Sequence, residues 1–267
     1  MIVIKLGGTK GLDFSAICSD LADIIKVYPQ IILVHGGSSE TNRLGELLGT
    51  PPKFITSPSG FSSRYTDRIT LEIFTMAVNG KINTFLVEEL HRKGINAFGL
   101  SGLDGRLLVA TRKKTIQSIE NGKRKIIHDD FTGRIDTVNR SILIMLLESG
   151  FLPVVAPLAI STDHEAVNVD ADRAAAMIAA SVQADQLILL TGVPGLLREF
   201  PDERTLISSL NRQQLTLALE FSQGRMKKKI LASEEALTAG VRQVIISDGR
   251  TQHPLIDALN GKGTLIK

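Results

Sequence analysis

The chain has 267 residues, 43% of them hydrophobic, so it can bury a large core in one α/β domain or in two lobes. Its net charge of +3 is too small to predict general nucleic-acid binding, and the absence of an apolar run of about 18 residues argues against a membrane span. The single cysteine, Cys18, excludes an internal disulfide and is typical of a cytoplasmic protein. The five histidines are scattered without metal-ligand spacing, so we expect no protein-built metal site.

Apolar runs alternate with helical periodicity along the chain. The predicted strands, several of them continuous apolar runs typical of parallel sheets, are Ile2–Leu6, Ile31–His35, Ile95–Leu100, Leu152–Ala156, Leu187–Thr191, Gln243–Ser247 and Gly263–Ile266. The predicted helices are Phe14–Val27, Ser39–Leu48, Asp67–Lys93, Val138–Ser149, Ala171–Val182, Arg212–Phe221, Lys227–Ala239 and Pro254–Leu259. This alternation predicts an α/β fold, a three-layer αβα sandwich around a mainly parallel open sheet, with ligands at the carboxyl ends of the strands.

Two glycine turns follow the first two predicted strands. Gly7 and Gly8 come directly after Lys5-Leu6, and Gly36 and Gly37 come after the second strand. A strand that ends in glycines and leads into a helix presents free backbone N–H groups to an anion. Lys5 beside such a turn is a candidate for phosphoryl transfer, which needs positive charge on the moving group. A strand-end lysine that faces water fits the tetrapeptide as well.

The predicted helix over Asp67–Lys93 is unusually long, and its apolar residues wrap more than one face. Such a helix is either buried in the core or packed against a second subunit, and a kink is expected near Asn79-Gly80. Arg64 stands just before it, where its guanidinium can bind a carboxylate ligand or pair with Asp67.

Residues 104–132 interrupt the alternation and are typical of a β-hairpin insertion. Its outward strand, turn and return strand are predicted at Leu107–Ala110, Asn121-Gly122 and Lys125–Ile127. The insertion carries two basic triplets, Arg112-Lys113-Lys114 and Lys123-Arg124-Lys125. Charge alone fits either a solvated hairpin or a docking patch for an acidic partner.

Further candidates lie in the second half of the chain. Asn168 could bond a polar substrate group and Asp172 could orient a lysine, although helix capping by Asp170 explains this segment equally well. Thr191 precedes a Gly/Pro turn, Val193–Leu196, whose shape suits an adenine or ribose but also an ordinary loop. Lys227-Lys228-Lys229 opens a helix against its dipole, a cost that a bound anion would offset.

In this order, the segments resemble the amino acid kinase family over essentially the whole chain, and within it the acetylglutamate kinase branch. The chain is most similar to the kinases that act on an amino acid held by the small acidic LysW carrier protein. The segments that carry this similarity are His35–Asn42, Ser63–Arg68 with Thr70–Phe74, Leu100–Arg106 and Gln223–Lys229. The resemblance implies a single domain over 1–267. About residues 1–157 would bind the amino acid and carrier, and about 158–267 the nucleotide.

The resemblance also implies roles residue by residue. Lys5 and Lys229 match the two lysines that stabilise the transition state, and Asp172 matches the aspartate that organises them. The matched substrate-binding residues are Gly36, Gly37, Arg64 and Asn168, and the nucleotide-side residues are Gly7, Gly8, Thr191, Val193, Gly195 and Leu196. The chain departs from kinases of free acetylglutamate at Ser38, Asp170 and Arg225, where those enzymes usually carry Gly, Asn and Gly.

The implied reaction is phosphorylation of a side-chain carboxylate by ATP and Mg²⁺, with no metal cage of protein side chains. The implied acceptor is aminoadipate or glutamate linked to the carrier through its α-amino group, in lysine biosynthesis and, as a second pathway, arginine biosynthesis. A kinase for free N-acetylglutamate is the alternative. A non-catalytic regulator should lack one of the phosphate-side residues, and Lys5, Asp172 and Lys229 are all present. The carrier gives both basic triplets a docking role, and the family favours a homodimer through the long helix.

Overall fold

The computed structural model describes residues 1–8, 11–58, 60, 62–120 and 123–267. Within them the strands are β1 (Ile2–Leu6), β2 (Ile31–His35), β3 (Phe54–Thr56), β4 (Ser62–Arg64), β5 (Ala97–Ser101), β6 (Leu108–Arg112), β7 (Ile116–Glu120), β8 (Lys123–Ile127), β9 (Gly133–Val138), β10 (Leu152–Ala156), β11 (Leu158–Ser161), β12 (Ala166–Asn168), β13 (Gln186–Thr191), β14 (Ser209–Leu210), β15 (Gln243–Asp248) and β16 (Thr264–Ile266). The α-helices are α1 (Phe14–Ile24), α2 (Ser38–Leu47), α3 (Arg68–Thr75), α4 (Thr84–Arg92), α5 (Arg140–Glu148), α6 (Ala171–Ser181), α7 (Leu215–Phe221), α8 (Gly224–Thr238) and α9 (Pro254–Leu259).

Eight strands form the main sheet, in the order β14-β16-β15-β13-β1-β2-β10-β5. Neighbouring strands in it are parallel except β15 and β16. Strands β1, β2 and β10 are buried along their whole length, because helices cover both faces of the sheet. Apolar residues of α5, α6, α7 and α8 pack on one face, and those of α1, α4 and α9 pack on the other. The predicted three-layer αβα sandwich is therefore confirmed.

The alternation of side chains along β1 decides which face its lysine occupies. Ile2, Ile4 and Leu6 belong to the core on the α1 side, whereas Val3 belongs to the core on the α6 side. Because side chains alternate with a period of two, Lys5 shares the face of Val3 and points toward α6 and α8.

The predicted pairing within the insertion is wrong. The strand predicted at Leu107–Ala110 is β6, which pairs with β11 and β9 in a four-stranded sheet rather than with Lys125–Ile127. The return strand is β8, and its partner is β7. Leu108 and Ala110 are buried in the core, so β6 belongs to a sheet that packs on the molecule, while β8 is mostly exposed. The predicted turn, Asn121-Gly122, lies outside the described residues.

The long helix predicted over Asp67–Lys93 is divided into α3, a π-helical segment (Met76–Asn83) and α4. Asp67 caps α3 by accepting a hydrogen bond from the Thr70 amide, so it does not pair with Arg64. The Asn79-Gly80 pair, near which the sequence predicts a kink, lies inside the π-helical segment, and the kink itself stays a prediction. In the part of the chain that the structure describes, no helix combines the length and apolarity needed to cross a membrane.

Candidate active site

A cleft of about 700 Å³ opens at the carboxyl ends of the central strands. It is lined by the turns that follow β1 and β2, by Thr191 at the end of β13, and by the first turns of α6 and α8. In an open α/β sheet this edge is where ligands bind, because strand ends and helix N-termini meet there. The predicted residues that line the cleft are Lys5, Gly7, Gly8, Gly36, Gly37, Arg64, Lys113, Asn168, Asp172, Thr191 and Lys229.

Two lysines meet one aspartate at the floor of this cleft. The Nζ atom of Lys5 lies 2.7 Å from Oδ1 of Asp172, and that of Lys229 lies 3.0 Å and 2.9 Å from the two carboxylate oxygens. All three side chains are buried, with 5–6% of each residue exposed. Strand alternation directs Lys5 to this point, while the packing of α8 on α6 carries Lys229 to Asp172.

Lys5, Asp172 and Lys229 together carry a net positive charge. Burial raises the pKa of Asp172, but the charges of Lys229 and Lys5 lower it more, so its pKa lies well below the usual range and it is ionised. Burial lowers the pKa of Lys229 to about 8 against the attraction of Asp172, and the charge of Lys5 adds to this shift. One carboxylate thus faces two ammonium groups, and the excess positive charge stabilises an anion in the cleft.

The two glycine turns are in direct contact. The Gly36 amide donates to the Leu6 carbonyl at 2.9 Å, and the Ser39 amide donates to the Gly8 carbonyl at 2.9 Å. A Cβ atom on Gly8 would lie 2.5 Å from the Gly37 nitrogen, so only glycine permits this approach. Gly37 is the N-cap of α2, and no side chain among the described residues caps the first amides there. The turns therefore form one cradle whose free N–H groups suit a phosphate.

Arg64 brings a further cation to the cleft, beside the two lysines. Its guanidinium donates to the carbonyl and hydroxyl oxygens of Ser38, at 3.1 Å and 3.3 Å, and to the side-chain oxygen of Asn42. Burial and the nearby charge of Arg225 lower the pKa of Arg64 to about 10. Among the described residues, no carboxylate lies within ion-pair distance of this guanidinium, so it is positioned to bind a carboxylate from a ligand.

Asn168 lines the same part of the cleft, and its Nδ2 donates to the Thr66 hydroxyl at 3.3 Å. Asp170 caps α6 by accepting from the amides of Asp172 and Arg173, which is the capping role that the sequence left open. Its second oxygen lies 3.6 Å from Nζ of Lys228, a cleft residue to which the sequence gave no specific role.

Only some of the residues predicted to bind the nucleotide line the cleft. Gly7, Gly8 and Thr191 line the cleft, whereas Val193, Gly195 and Leu196 are not among its lining residues. Leu196 is buried, and its amide donates to the Thr264 hydroxyl at 2.8 Å. The role of the Val193–Leu196 turn in nucleotide binding stays a prediction.

The two basic triplets occupy different environments. The Arg112 guanidinium lies 3.6 Å from the centre of the Phe131 ring and binds both oxygens of Glu165, so its charge is paired internally. Lys113 lines the cleft, and Lys114 pairs with Asp163 at 2.8 Å on the surface. The second triplet, Lys123-Arg124-Lys125, is exposed on β8. The docking role of both triplets stays a prediction.

Sequence reasoning assigned no role to several residues that line the cleft. They come mainly from β3, β9 and α6, and include Phe54, Phe74, Thr132, Arg134, Arg173 and Met177. Nothing in a single sequence marks them, because contacts between segments that are distant in the chain bring them to the cleft. Among the described residues, no group of three or more His, Cys, Asp or Glu side chains is arranged to hold a metal ion.

The amino acid kinase family model matches residues 1–248 of this chain. The LysW-aminoadipate kinase of Deinococcus radiodurans is 51% identical over 266 residues, covering 100% of this chain and 91% of that protein. The LysW-aminoadipate kinase of Thermus thermophilus is 45% identical over 269 residues, covering all of both chains. Among solved structures, the smu.665 protein of Streptococcus mutans superposes with a TM-score of 0.78 and 23% identity, covering 100% of this chain and 98% of that one. At that identity the likeness shows the fold alone.

Proposed function

This chain belongs to the amino acid kinase family, and we propose that it transfers the γ-phosphoryl group of ATP to the side-chain carboxylate of aminoadipate held by a LysW-type carrier protein. The product is an acyl phosphate, in lysine biosynthesis. Carrier-linked glutamate is a second acceptor, which would extend the role to arginine biosynthesis. The observation that carries the proposal is the meeting of Lys5, Asp172 and Lys229 beside the glycine cradle.

The acceptor carboxylate is itself the nucleophile. Its pKa is about 4, so it is ionised at neutral pH and needs no general base. One of its oxygens bonds to the γ-phosphorus while the bond to the β–γ bridging oxygen breaks, and that electron pair stays on the β-phosphate. Lys5 and Lys229 offset the negative charge on the transferring group and on the leaving phosphate, and Asp172 holds both ammonium groups in place.

The glycine cradle orients the phosphates. In the Gly36-Gly37 turn, the Gly37 N–H at the start of α2 would face the γ-phosphoryl group, while the Gly36 N–H, which donates to the Leu6 carbonyl, would hold the turn in shape. Gly7 and Gly8 would face the nucleotide. Thr191 and the turn Val193–Leu196 would bind the nucleoside part.

Mg²⁺ would be held mainly by the nucleotide phosphates and water. Of the described cleft residues, the carboxylates are Asp170 and Asp172, and both are already bonded, to the α6 N-terminus and to the lysines respectively. The ion would neutralise charge on the phosphates, and the protein residues would hold the phosphates in position around it.

The acceptor's backbone end would bind Arg64 and Asn168, which line the same part of the cleft. The alternative acceptor, free N-acetylglutamate, is disfavoured by Ser38 and Arg225. The Ser38 hydroxyl accepts from Arg64 at 3.3 Å and from Arg225 at 3.5 Å. Two guanidinium groups thus meet here, whereas kinases of free acetylglutamate, which usually carry Gly in place of Arg225, would present one. That excess of cationic donors suits an acceptor that carries more acidic groups than the free amino acid.

We also propose that the two halves of the main sheet bind different ligands. About residues 1–157 supply β1, β2, β10 and β5 and would bind mainly the acceptor and carrier, while about residues 158–267 supply β13, β15, β16 and β14 and would bind mainly the nucleotide. Gly7, Gly8 and Asn168 are exceptions, because they line the cleft that both halves form. Apolar side chains are exposed on the long helix and on β5, namely Ile69, Met76, Phe85 and Phe98, and would form a homodimer contact. A solution mass of one chain, 29.0 kDa, would contradict the dimer.

The test offers ATP with three acceptors: carrier-linked aminoadipate, carrier-linked glutamate and free N-acetylglutamate. We expect ADP release with the carrier-linked acceptors, and activity with the free amino acid alone would support the alternative. Lys229→Ala should lower turnover by about 10² to 10³ while ATP affinity changes less. Lys227→Ala is the control, because this neighbour in α8 does not line the cleft. Near-normal turnover in Lys229→Ala would reject the mechanism.

A further inference from the structure

Asp130 is a fully buried carboxylate that the proposed chemistry does not use. It accepts hydrogen bonds from the Thr66 amide at 3.0 Å, from the Thr132 amide at 2.8 Å and from the Thr132 hydroxyl. Among the described residues, no cation lies within ion-pair distance of it. Burying a carboxylate costs free energy unless hydrogen bonds compensate for the lost hydration. The hydrogen bonds to Asp130 provide that compensation, and they join the backbone at Thr66 to the backbone at Thr132.

Thr66 is the other centre of this arrangement and is also fully buried. Its amide donates to Asp130, its carbonyl accepts from the Phe131 amide at 2.7 Å, and its hydroxyl donates to the Arg64 carbonyl at 3.2 Å. The same hydroxyl accepts from Nδ2 of Asn168. Thr66 is therefore bonded directly to both residues that would hold the acceptor.

The segment 130–132 lies between those two residues. On one side it bonds Thr66, and on the other the Asn168 amide donates to the Phe131 carbonyl at 2.8 Å. Thr132 also forms a parallel bridge with Asn168. Arg64 and Asn168 are 104 positions apart in the chain, and this segment sets their relative position.

The same segment is the base of the β7–β8 hairpin. β8 ends at Ile127, three positions before Asp130, and the Tyr65 hydroxyl donates to the Asp129 carboxylate at 2.6 Å. The Arg112 guanidinium packs on Phe131, and its Nε donates to the Asp130 carbonyl at 2.9 Å. The base of the exposed basic hairpin is thus joined by direct contacts to the acceptor residues.

We propose that Asp130 is a positioning residue for the acceptor. It acts through Thr66 on Arg64 and Asn168, and it links their placement to the base of the hairpin. The inference rests on the proposed function insofar as Arg64 and Asn168 bind the acceptor. It predicts a selective effect, because the nucleotide-side glycines and Thr191 do not touch this group of hydrogen bonds.

The test compares steady-state kinetics of four variants with the wild-type enzyme. Asp130→Asn leaves one amide oxygen to accept from the two backbone amides, because the NH2 group that replaces the other oxygen is a donor. Thr66→Val removes the hydroxyl to which Asn168 donates. Both should raise the KM for the carrier-linked acceptor about tenfold, with the KM for ATP within twofold and kcat little changed. Thr66→Ser retains the hydroxyl and should behave like the wild type. Asp136→Asn is the matched control, because Asp136 is exposed on β9 and bonds Thr111 and Arg134 instead.

An unchanged acceptor KM in both Asp130→Asn and Thr66→Val would overturn the proposal. An equal rise in the KM values for acceptor and ATP would also overturn it, because it would indicate a general structural role. If Asp130→Asn fails to fold, the acceptor KM values of Thr66→Val and Thr66→Ser provide the test, and equal values would overturn the proposal.

Hydrogen exchange separates this inference from the proposed function. In Asp130→Asn, the amides of residues 66 and 132 should exchange faster while those of β13 do not. If the wild-type enzyme phosphorylates none of the acceptors, the proposed function is wrong. In that case, faster exchange of these two amides would support the positioning role, and unchanged exchange would contradict it.

Discussion

His35 orients one of the peptides in the cradle. It is fully buried at the end of β2, with Nδ1 3.1 Å from the Gly36 carbonyl and Nε2 3.1 Å from Nδ2 of Asn83. Because the asparagine nitrogen is a donor, Nε2 must accept, and Nδ1 carries the proton that it donates to Gly36. A neutral histidine therefore fixes the Gly36-Gly37 peptide.

This arrangement predicts an acid-sensitive contribution to stability. Burial lowers the pKa of His35 to about 4 from an ordinary value of 6.5. As pH falls through this window, the unfolded chain takes up a proton that the folded chain does not, so the free energy of unfolding decreases. The loss attributable to His35 should approach about 3 kcal/mol, since each pKa unit is about 1.4 kcal/mol.

Urea unfolding at pH 7 and pH 4.5 measures this effect. His35→Gln should lose less stability over the interval than the wild type, because it lacks the titrating group. His91→Gln is the control, since it makes the same substitution at an exposed histidine of α4. A His35→Gln variant whose unfolding free energy falls in parallel with the wild type would contradict the prediction.

At the scale of single elements, the π-helical segment carries Asn83 into the core. Its Nδ2 donates to the Val154 carbonyl at 2.9 Å besides contacting His35, so the segment joins β10 to the end of β2. β5 makes room for this side chain with a glycine. A Cβ atom on Gly99 would lie 2.2 Å from Oδ1 of Asn83 and 3.0 Å from a methyl group of Val87. π-helical turns are frequently found near functional sites, and this one supports the cradle.

Two glycine substitutions should therefore have opposite effects on stability. Gly99→Ala should lower the free energy of unfolding by about 1–3 kcal/mol, because the added methyl group forces Asn83 to move. Gly80→Ala should raise it by about 0.5–1 kcal/mol, because nothing lies within 4 Å of the added atom and alanine favours helix. Urea unfolding of both variants is the measurement. A destabilised Gly80→Ala or an unaffected Gly99→Ala would contradict the packing described.

The strands with continuous apolar runs could be located from the sequence, and the bounds of β1, β2 and β10 agree with the prediction. The wrong pairing of β6 shows where that information ends. Local hydrophobicity indicates a strand, but its partner is decided by which face is buried and by contacts with distant segments.

The site shows the same limit. The glycine turns and lysines carry local chemical signals, and a family resemblance predicts that Lys5, Asp172 and Lys229 act together. Asp130 and Thr66 carry no such signal, since their role exists only through hydrogen bonds between distant segments.

On the scale of the whole molecule, the exposed basic strand lies on the same side as the cleft. β7 packs against β3, whose Phe54 both lines the cleft and lies under the Arg64 guanidinium at 5.2 Å. A carrier bound to β8 would therefore hold its amino acid close to the cleft. Arg112 of the first triplet is paired internally, whereas the second triplet is exposed on β8. The second triplet is therefore the better placed of the two to attract an acidic carrier protein.

Reversing charge on this strand should weaken carrier recognition without affecting nucleotide binding. Lys123→Glu/Arg124→Glu should raise the KM for the carrier-linked acceptor about tenfold at low salt, because charge steers association, and should leave the KM for ATP unchanged. The difference from the wild type should shrink at 0.5 M salt, where the screening length falls well below 10 Å.

The control for this experiment is Lys26→Glu/Lys93→Glu. Both lysines are exposed near the C-terminal ends of α1 and α4, at the edge of the sheet opposite the cleft. The control changes the net charge by the same amount, so it isolates the effect of position. An equal rise in the acceptor KM for both double variants would assign the effect to net charge alone. An unchanged KM in Lys123→Glu/Arg124→Glu would exclude β8 as the docking strand.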